Sequence, residues 1–225
     1  MKKIFLNVFA ILFLILFKIG SVNATVAAYV ANSDSNTISV IDTISDRVFT
    51  NIPVENGPTE VIATPKGDKV YVTHRGNNIV SVIDTSSNNV ITTISVGNGP
   101  DGIAVSPDGS KVYVANWGGG VSVIDTATDT VIKTVMVGNA PTAIAISVNG
   151  YKVFVRDETG ISIIDTFSDS MTGNVSLLMQ PNARLATSPI YPYYVYAPRG
   201  VDPTMHIING ITCVTCVTFY TLNSL

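Results

Sequence analysis

The chain is poor in the residues that most often carry chemistry. Its 225 residues include two cysteines, two histidines and one tryptophan, and only 13% are charged. The cysteines, Cys213 and Cys216, form a single C-x-x-C. A structural zinc site needs four ligands, and no second pair exists to complete one. A low-pKa redox pair needs a helix N-terminus, whereas ITCVTCVTFYTL reads as a strand. In a strand, residues three apart stand about 10 Å from each other on opposite faces, and a disulfide fails beyond about 7 Å between Cα atoms. The pair therefore reads as two buried or partly buried thiols. The histidines, His74 and His206, fall at different points of the pattern described below, which disfavours a shared metal centre. The sequence also lacks H-x-x-x-H, a glycine-rich phosphate loop after a strand, and G-x-S-x-G.

Long hydrophobic runs are scarce too. The main one, Ile4 to Phe17, follows Lys2 and Lys3 and precedes Val22-Asn23-Ala24. At about 14 residues it is short of the roughly 20 that cross a bilayer, and it has the layout of an export signal cleaved after Ala24. The competing reading is an uncleaved membrane anchor. No cysteine follows the run, which speaks against a lipid anchor. Loss of residues 1–24 removes Lys2, Lys3 and Lys18, leaving 10 basic against 16 acidic residues, a balance of −6. That disfavours nucleic acid and an anionic membrane surface as partners. The expected address is exported: periplasmic, cell-surface or extracellular. About 200 residues remain, enough for one domain with a true core.

What the chain has is repetition. TISVIDT at 37–43, VSVIDT at 80–85, VSVIDT at 121–126 and ISIIDT at 161–166 place Asp42, Asp84, Asp125 and Asp165 at spacings of 42, 41 and 40 residues. A period near forty is the mark of one stacked structural unit. In the copy at 99–141, Gly102–Val105, Lys111–Ala115, Val121–Ile124 and Thr130–Val137 are four short runs. They are separated by Ser106-Pro107-Asp108-Gly109, Gly118-Gly119-Gly120 and Asp125-Thr126-Ala127-Thr128-Asp129. Pro presets φ, Asp bonds its own turn, and Gly takes the strained exit. Each unit is then a four-stranded antiparallel meander. Its inner runs are apolar on both faces, so both faces must be covered; its outermost run alternates Thr and Lys with Val and Ile. Blades stacked radially around a channel satisfy both facts.

The other copies follow the same grammar. Tyr29-Val30-Ala31-Asn32, Tyr71-Val72-Thr73 and Tyr113-Val114-Ala115-Asn116, with Phe154-Val155 and Tyr194-Val195 at the same place, resemble the YVTN repeat of β-propellers. That family includes archaeal surface-layer proteins and exported bacterial propellers. The resemblance covers about residues 26–209. It implies an all-β propeller, usually of more blades than this chain offers; counting the copies gives about five four-stranded blades, with units near 25–57, 58–99, 100–140, 141–181 and 182–225. The first unit has no room for its innermost strand outside the export signal, so 19 strands are expected: three, then four in each later unit. Closure is expected to be imperfect or absent, leaving an open strand edge for self-association.

The turns joining strands one to two and three to four are monotonous. Variation collects on the opposite rim, at Glu60, His74, Arg75, Asp101, Trp117, Arg156, Asp157, Glu158 and Arg199. Such a rim suits recognition of a protein or a carbohydrate, with Trp117 as a stacking or anchoring ring. The repeated Asp42, Asp84, Asp125 and Asp165 each precede Thr and a polar turn and read as structural turn caps. Asn174-Val175-Ser176 is a glycosylation sequon. The leading functional expectation is a non-catalytic binding scaffold that needs no cofactor. Two others stand beside it: a structural surface-layer component, and a calcium-dependent lactonase-like hydrolase. For the hydrolase the resemblance implies acidic ligands around a central channel, where Glu60 and Asp101 are expected at matching positions, interrupted by Ala143.

Overall fold

The computed structural model describes residues 27–177, 184–188, 194–198, 204–209 and 217–221. The segment 1–24, Arg199, Cys213 and Cys216 lie outside them. The described residues hold nineteen strands and no helix. The first sheet contains β1 (Ala27–Asn32), β2 (Thr37–Asp42) and β3 (Arg47–Pro53). The second contains β4 (Pro58–Ala63), β5 (Lys69–His74), β6 (Ile79–Asp84) and β7 (Asn89–Ser95). The third contains β8 (Pro100–Val105), β9 (Lys111–Asn116), β10 (Val121–Asp125) and β11 (Thr130–Val135). The fourth contains β12 (Ala143–Ile146), β13 (Lys152–Asp157), β14 (Gly160–Asp165) and β15 (Ser170–Ser176). The fifth contains β16 (Ala186–Thr187), β17 (Tyr194–Pro198), β18 (Thr204–Asn209) and β19 (Val217–Thr221). Strands within each sheet follow chain order and pair antiparallel.

The first strands of successive sheets pack side by side, β1 on β4, β4 on β8, β8 on β12 and β12 on β16. This is a propeller arrangement. Among the described residues no comparable packing returns from the fifth sheet to the first, so the ring is not closed. Each seam is an apolar layer shared by two sheets. Ala104, Tyr113, Val121 and Val123 of the third meet Ile144, Val153, Val155 and Ile164 of the fourth. Tyr71, Val80 and Val82 of the second meet Ile103, Val112, Val114 and Ile124 of the third. Each such side chain contributes about 1.5–3 kcal/mol when fully buried, so the seams, rather than the turns, hold the stack. Val30 and Ile41 of the first sheet are only half-buried. Their counterparts Val72 and Ile83 are fully buried, because the second sheet is covered on both faces.

Two repeated irregularities shape the blades. The outer strand slips register beside Val40, Val82, Val123 and Ile163, and such a bulge sharpens the local twist. A second bulge sets Thr59-Glu60 and Asp101-Gly102 into the inner strand. In the fifth sheet, Tyr194 pairs with Asn209 as Lys111 pairs with Asp125. Tyr196, not Tyr194, therefore occupies the place of Tyr113 and Phe154. The sequence alignment was two residues out because the fifth copy has lost its lysine.

A polar latch crosses two of the seams. Tyr71 Oη donates to Asp129 Oδ1 at 2.6 Å, and Lys69 Nζ reaches Asp129 Oδ2 at 2.7 Å and Thr126 O at 2.8 Å. One seam later, Tyr113 Oη donates to Asp169 Oδ1 at 2.9 Å, while Lys111 Nζ reaches Asp169 Oδ2 at 2.6 Å and Thr166 O at 2.9 Å. Burial, and then the aspartate partner, push both tyrosines well above their ordinary pKa. The acceptors sit at φ +53° and +46°, in the left-handed region that Asp and Asn tolerate better than most residues. The fourth sheet has Phe154 in place of the tyrosine, and its Lys152 turns back to Asp165 of the same sheet at 3.1 Å.

Candidate functional site

In four of the five sheets the strand β1, β5, β9 or β13 ends in a polar residue clipped to a serine of the strand that follows it. Asn32 Nδ2 donates to Ser39 Oγ at 2.8 Å, and Asn116 Nδ2 to Ser122 Oγ at 2.9 Å. His74 Nε2 lies 2.9 Å from Ser81 Oγ, and Ser162 Oγ donates to Asp157 Oδ2 at 2.6 Å. His74 and Asp157, expected on the rim, are thus buried inside their sheets. Strand pairing runs to the last residue, His74 with Ile79 and Asp157 with Gly160, which turns these side chains inward. The incoming loop presses on the clip. A Cβ at Gly97 would lie 2.6 Å from the Asn116 side chain, and one at Gly138 would lie 2.4 Å from the Asp157 carboxyl. Burial pushes the His74 pKa down, against an opposing pull from the Asn56 and Glu55 carbonyls and the Glu55 charge.

The next residue in each copy, Ser33, Arg75, Trp117 and Glu158, lies on the rim proper. Trp117 is 50% exposed. The Arg75 guanidinium stands 5.8 Å above the indole centre, and its Nη1 is 3.7 Å from Asp101 Oδ2. That distance gives a charge contact but no hydrogen bond. Burial pushes the Asp101 carboxyl up, and Arg75 opposes the shift. Thr73 Oγ1 donates to the Asp101 carbonyl at 3.0 Å and fixes that backbone. Arg156 is buried and donates from Nη1 to Thr142 Oγ1 at 2.5 Å. Glu158 is exposed, its N–H bonded to the Asn139 carbonyl at 2.9 Å. The structure therefore unites Arg75, Asp101 and Trp117, and leaves Arg156 and Glu158 apart on the next sheet.

Glu60 and Asp101 are not equivalent. Cross-strand pairing puts Glu60 in the place of Gly102 and Ala143, and Asp101 in the place of Thr59 and Thr142. Pairing of Ala186 with Tyr196 gives Arg184 that same place in the fifth sheet. Arg184 forms an ion pair with Glu60 Oε1, and Glu60 Oε2 accepts the Ile103 N–H at 3.0 Å. Gly102 and Ala143, the small residues between them in the row, leave space for that pair. Gly102 is also required by its neighbour, since a Cβ there would come 2.8 Å from the Thr142 carbonyl. These residues do not fit a calcium ion: the row offers one carboxylate, already held by a guanidinium. Among the described residues no three His, Cys, Asp or Glu side chains gather to hold a metal.

The repeated aspartates lie on the opposite face. Asp42 accepts the Ile44 N–H at 2.9 Å, Asp84 that of Ser87 at 2.8 Å, Asp125 that of Thr128 at 2.9 Å and Asp165 that of Ser168 at 3.0 Å. Hydrogen bonds from these turns hold all four carboxyls below the usual range, Asp165 at about 2. Sequence reasoning missed the residue four places further on. Asp46, Asn88, Asp129 and Asp169 recur as regularly, all at positive φ, and this set supplies the latch. The signal was present as Lys-x-Tyr in one copy and Asp or Asn at the turn of the next. Arg184 was missed because the fifth copy is too degraded to align without strand pairing.

The comparisons agree with this architecture. The profile of the family described as "Lactonase, 7-bladed beta-propeller" matches residues 14–130, just over half of the chain. Among solved structures, hydrazine synthase of Kuenenia stuttgartiensis superposes with a TM-score of 0.78 at 23% identity, covering 88% of this chain and 64% of that one. A functionally unknown protein from Desulfotomaculum acetoxidans superposes with a TM-score of 0.74 at 17% identity, covering 88% of this chain and 68% of that one. At such identities the likeness is one of fold. The chain thus spans less than two-thirds of the hydrazine synthase chain. No curated protein sequence matches. Five sheets are described here, where the family description gives seven blades. The chain belongs to the lactonase family of seven-bladed β-propellers.

Proposed function

We propose that the chain is an exported, non-catalytic propeller module of YVTN type that binds a protein or carbohydrate at its variable rim. The observation carrying this reading is the Arg75–Asp101–Trp117 group. A half-exposed indole, a guanidinium and a buried carboxyl come together there from two sheets, while the channel carboxylate Glu60 is engaged by Arg184. Half-exposed aromatic and arginine side chains beside buried polar groups are what binding hot spots use. Glycan and peptide arrays probed with the purified chain and with Trp117→Ala test the reading. Spots lost with the ring support it, and an unchanged pattern refutes it.

A second reading, lactone hydrolysis, is favoured by the family match at residues 14–130. Asp101, raised by burial, would be its candidate acid or base, since catalytic carboxyls are tuned upward by burial. A panel of lactones followed in a pH-stat decides between the two. Saturable hydrolysis abolished by Asp101→Asn installs the enzyme reading, and background rates remove it.

A further inference from the structure

We propose that the Arg75–Trp117 site takes a carboxylate-bearing sugar, a uronic acid unit of an oligosaccharide. The proposal rests on the binding reading above and names its ligand. The Arg75 side chain is 51% exposed. A guanidinium carries five N–H donors, and within the described residues none of those on Arg75 makes a hydrogen bond; its one charge contact, Asp101, stands at 3.7 Å. The Trp117 indole N–H has no acceptor among the described residues either. Two donor groups on one rim therefore lack a complementary acceptor. The acceptor that suits a planar guanidinium is a carboxylate, engaged through two parallel bonds. Asp101 is a poor internal substitute, because at 3.7 Å its carboxyl makes no hydrogen bond to the guanidinium.

The indole argues for a ring attached to that carboxylate. Arg75 covers one part of Trp117, and half of the residue stays open. The loop beside it is Gly118-Gly119-Gly120, and a Cβ on Gly119 would meet nothing within 4 Å, so a flat body has room to lie there. A protein anchor requires an apolar surround sealed from water. The surround here is a guanidinium, a carboxyl and glycine backbone, which suits hydroxyl groups and leaves a wet edge. The chain carries a net charge of −3, so the attraction is local to Arg75; at physiological ionic strength charges beyond about 8 Å are largely screened.

Trp117 is the only tryptophan of the chain, so its fluorescence reports on this site alone. Oligogalacturonate and a neutral galactose oligomer of equal length are titrated in 150 mM salt into the full chain, into Arg75→Gln and into Arg75→Lys, with calorimetry in parallel. The expected result is a saturable change with oligogalacturonate, at least tenfold weaker with the neutral oligomer. Arg75→Gln loses that preference, and Arg75→Lys keeps part of it. Equal affinity for both oligomers overturns the ligand class and leaves the rim reading standing. Calorimetric binding that persists unchanged in Arg75→Gln and Trp117→Phe places the ligand elsewhere and overturns both. Saturation by neither oligomer overturns the proposal alone, because the array experiment still judges the rim. A far-UV spectrum matching the parent shows each variant to be folded.

Discussion

Asp169→Ala tests the view that polar latches, as well as apolar seams, join the third and fourth sheets. The substitution takes from Tyr113 its hydroxyl partner at 2.9 Å and from Lys111 its ion pair at 2.6 Å. Tyr113 is fully buried, and a buried hydroxyl left without a partner costs about 1–3 kcal/mol. The ion pair adds less than a fully buried one. Losing one partner of such a pair costs about 3–5 kcal/mol, but the Lys111 side chain is 25% exposed and can turn to water. Alanine must also adopt φ near +46°, a conformation that costs a side chain without local hydrogen bonding about 1 kcal/mol. The parts overlap, and a total of about 2–4 kcal/mol is expected. Asp169→Asn separates the contributions: it keeps an acceptor for Tyr113 and tolerates the backbone, as Asn88 does at φ +52°, and so loses only the charge, at about 1 kcal/mol. Urea unfolding at constant slope gives both numbers. In a chain of this size the alanine variant should melt roughly 4–16 °C lower. An alanine variant within about 0.5 kcal/mol of the parent would refute the latch.

Other expectations follow from single contacts. Gly102→Ala drives a Cβ to 2.8 Å from the Thr142 carbonyl, so backbone must move; a loss of about 1–3 kcal/mol is expected, and an unchanged urea midpoint contradicts the packing of β8 on β12. The carboxyls of Asp42, Asp84, Asp125 and Asp165 are lowered in the folded state. Their contribution is therefore fully present above about pH 4, the ordinary carboxylate range, and is lost as pH falls through their lowered folded-state values, about 2 for Asp165. Asp101 has the opposite sign, its contribution being present in acid and lost as its raised pKa is passed. Unfolding midpoints measured from pH 6 to pH 2 should fall in the acid limb, and a flat profile excludes the turn assignment. His74 is lowered from 6.5, so its share declines as pH drops below that value. His74→Asn, copying Asn32 and Asn116, should remain folded and lose this upper limb, and a variant that keeps the limb clears His74 of it.

The stack of sheets was legible because its cause is local and repeated. Each Val-Ser-Val-Ile-Asp-Thr run is a strand covered on both faces followed by a turn, and nineteen strands in sheets of three, four, four, four and four follow from counting the units. The rim was legible only in part. Trp117 and Arg75 stand out as exposed departures from the repeat, and the structure stacks them. His74 and Asp157 looked like rim residues in one dimension because they end a strand; only the pairing partner across the hairpin decides that they point inward. Glu60 was matched to Asp101 by residue type, although Gly57-Pro58 and Gly99-Pro100 already set it against Gly102; the bulge falls at the same place in both sheets and leaves that alignment unchanged. Arg184 lay beyond reach because its partner, Glu60, stands three sheets away in chain order.

These errors share a physical origin that also explains how the scaffold can vary its rim. In the first four sheets, β1, β5, β9 and β13 each end at the first of two adjacent residues of opposite duty. The first is clipped to a serine inside the sheet, as Asn32, His74, Asn116 and Asp157 are. It must be small or planar and polar, since the incoming Gly97 and Gly138 leave no room for anything larger at their clips. The second, Ser33, Arg75, Trp117 or Glu158, leaves the sheet and meets no such demand. Hydroxyl, guanidinium, indole and carboxylate all occupy that place in one chain. Sheet and rim are thus separated by a single peptide bond, so a substitution at Arg75 or Trp117 should alter the proposed binding with little effect on stability, whereas Asn116→Leu should do the reverse. Leucine at 116 would bury an apolar branch against the Gly97 backbone and leave the Ser122 hydroxyl with only the Gly97 N–H at 3.3 Å, at up to about 1–3 kcal/mol for the lost bond and as much again for overpacking. Measured together, ligand affinity and urea midpoint should move independently for the two positions. If Arg75→Gln and Asn116→Leu shift both quantities in parallel, the rim is part of the core and the separation argued here is false.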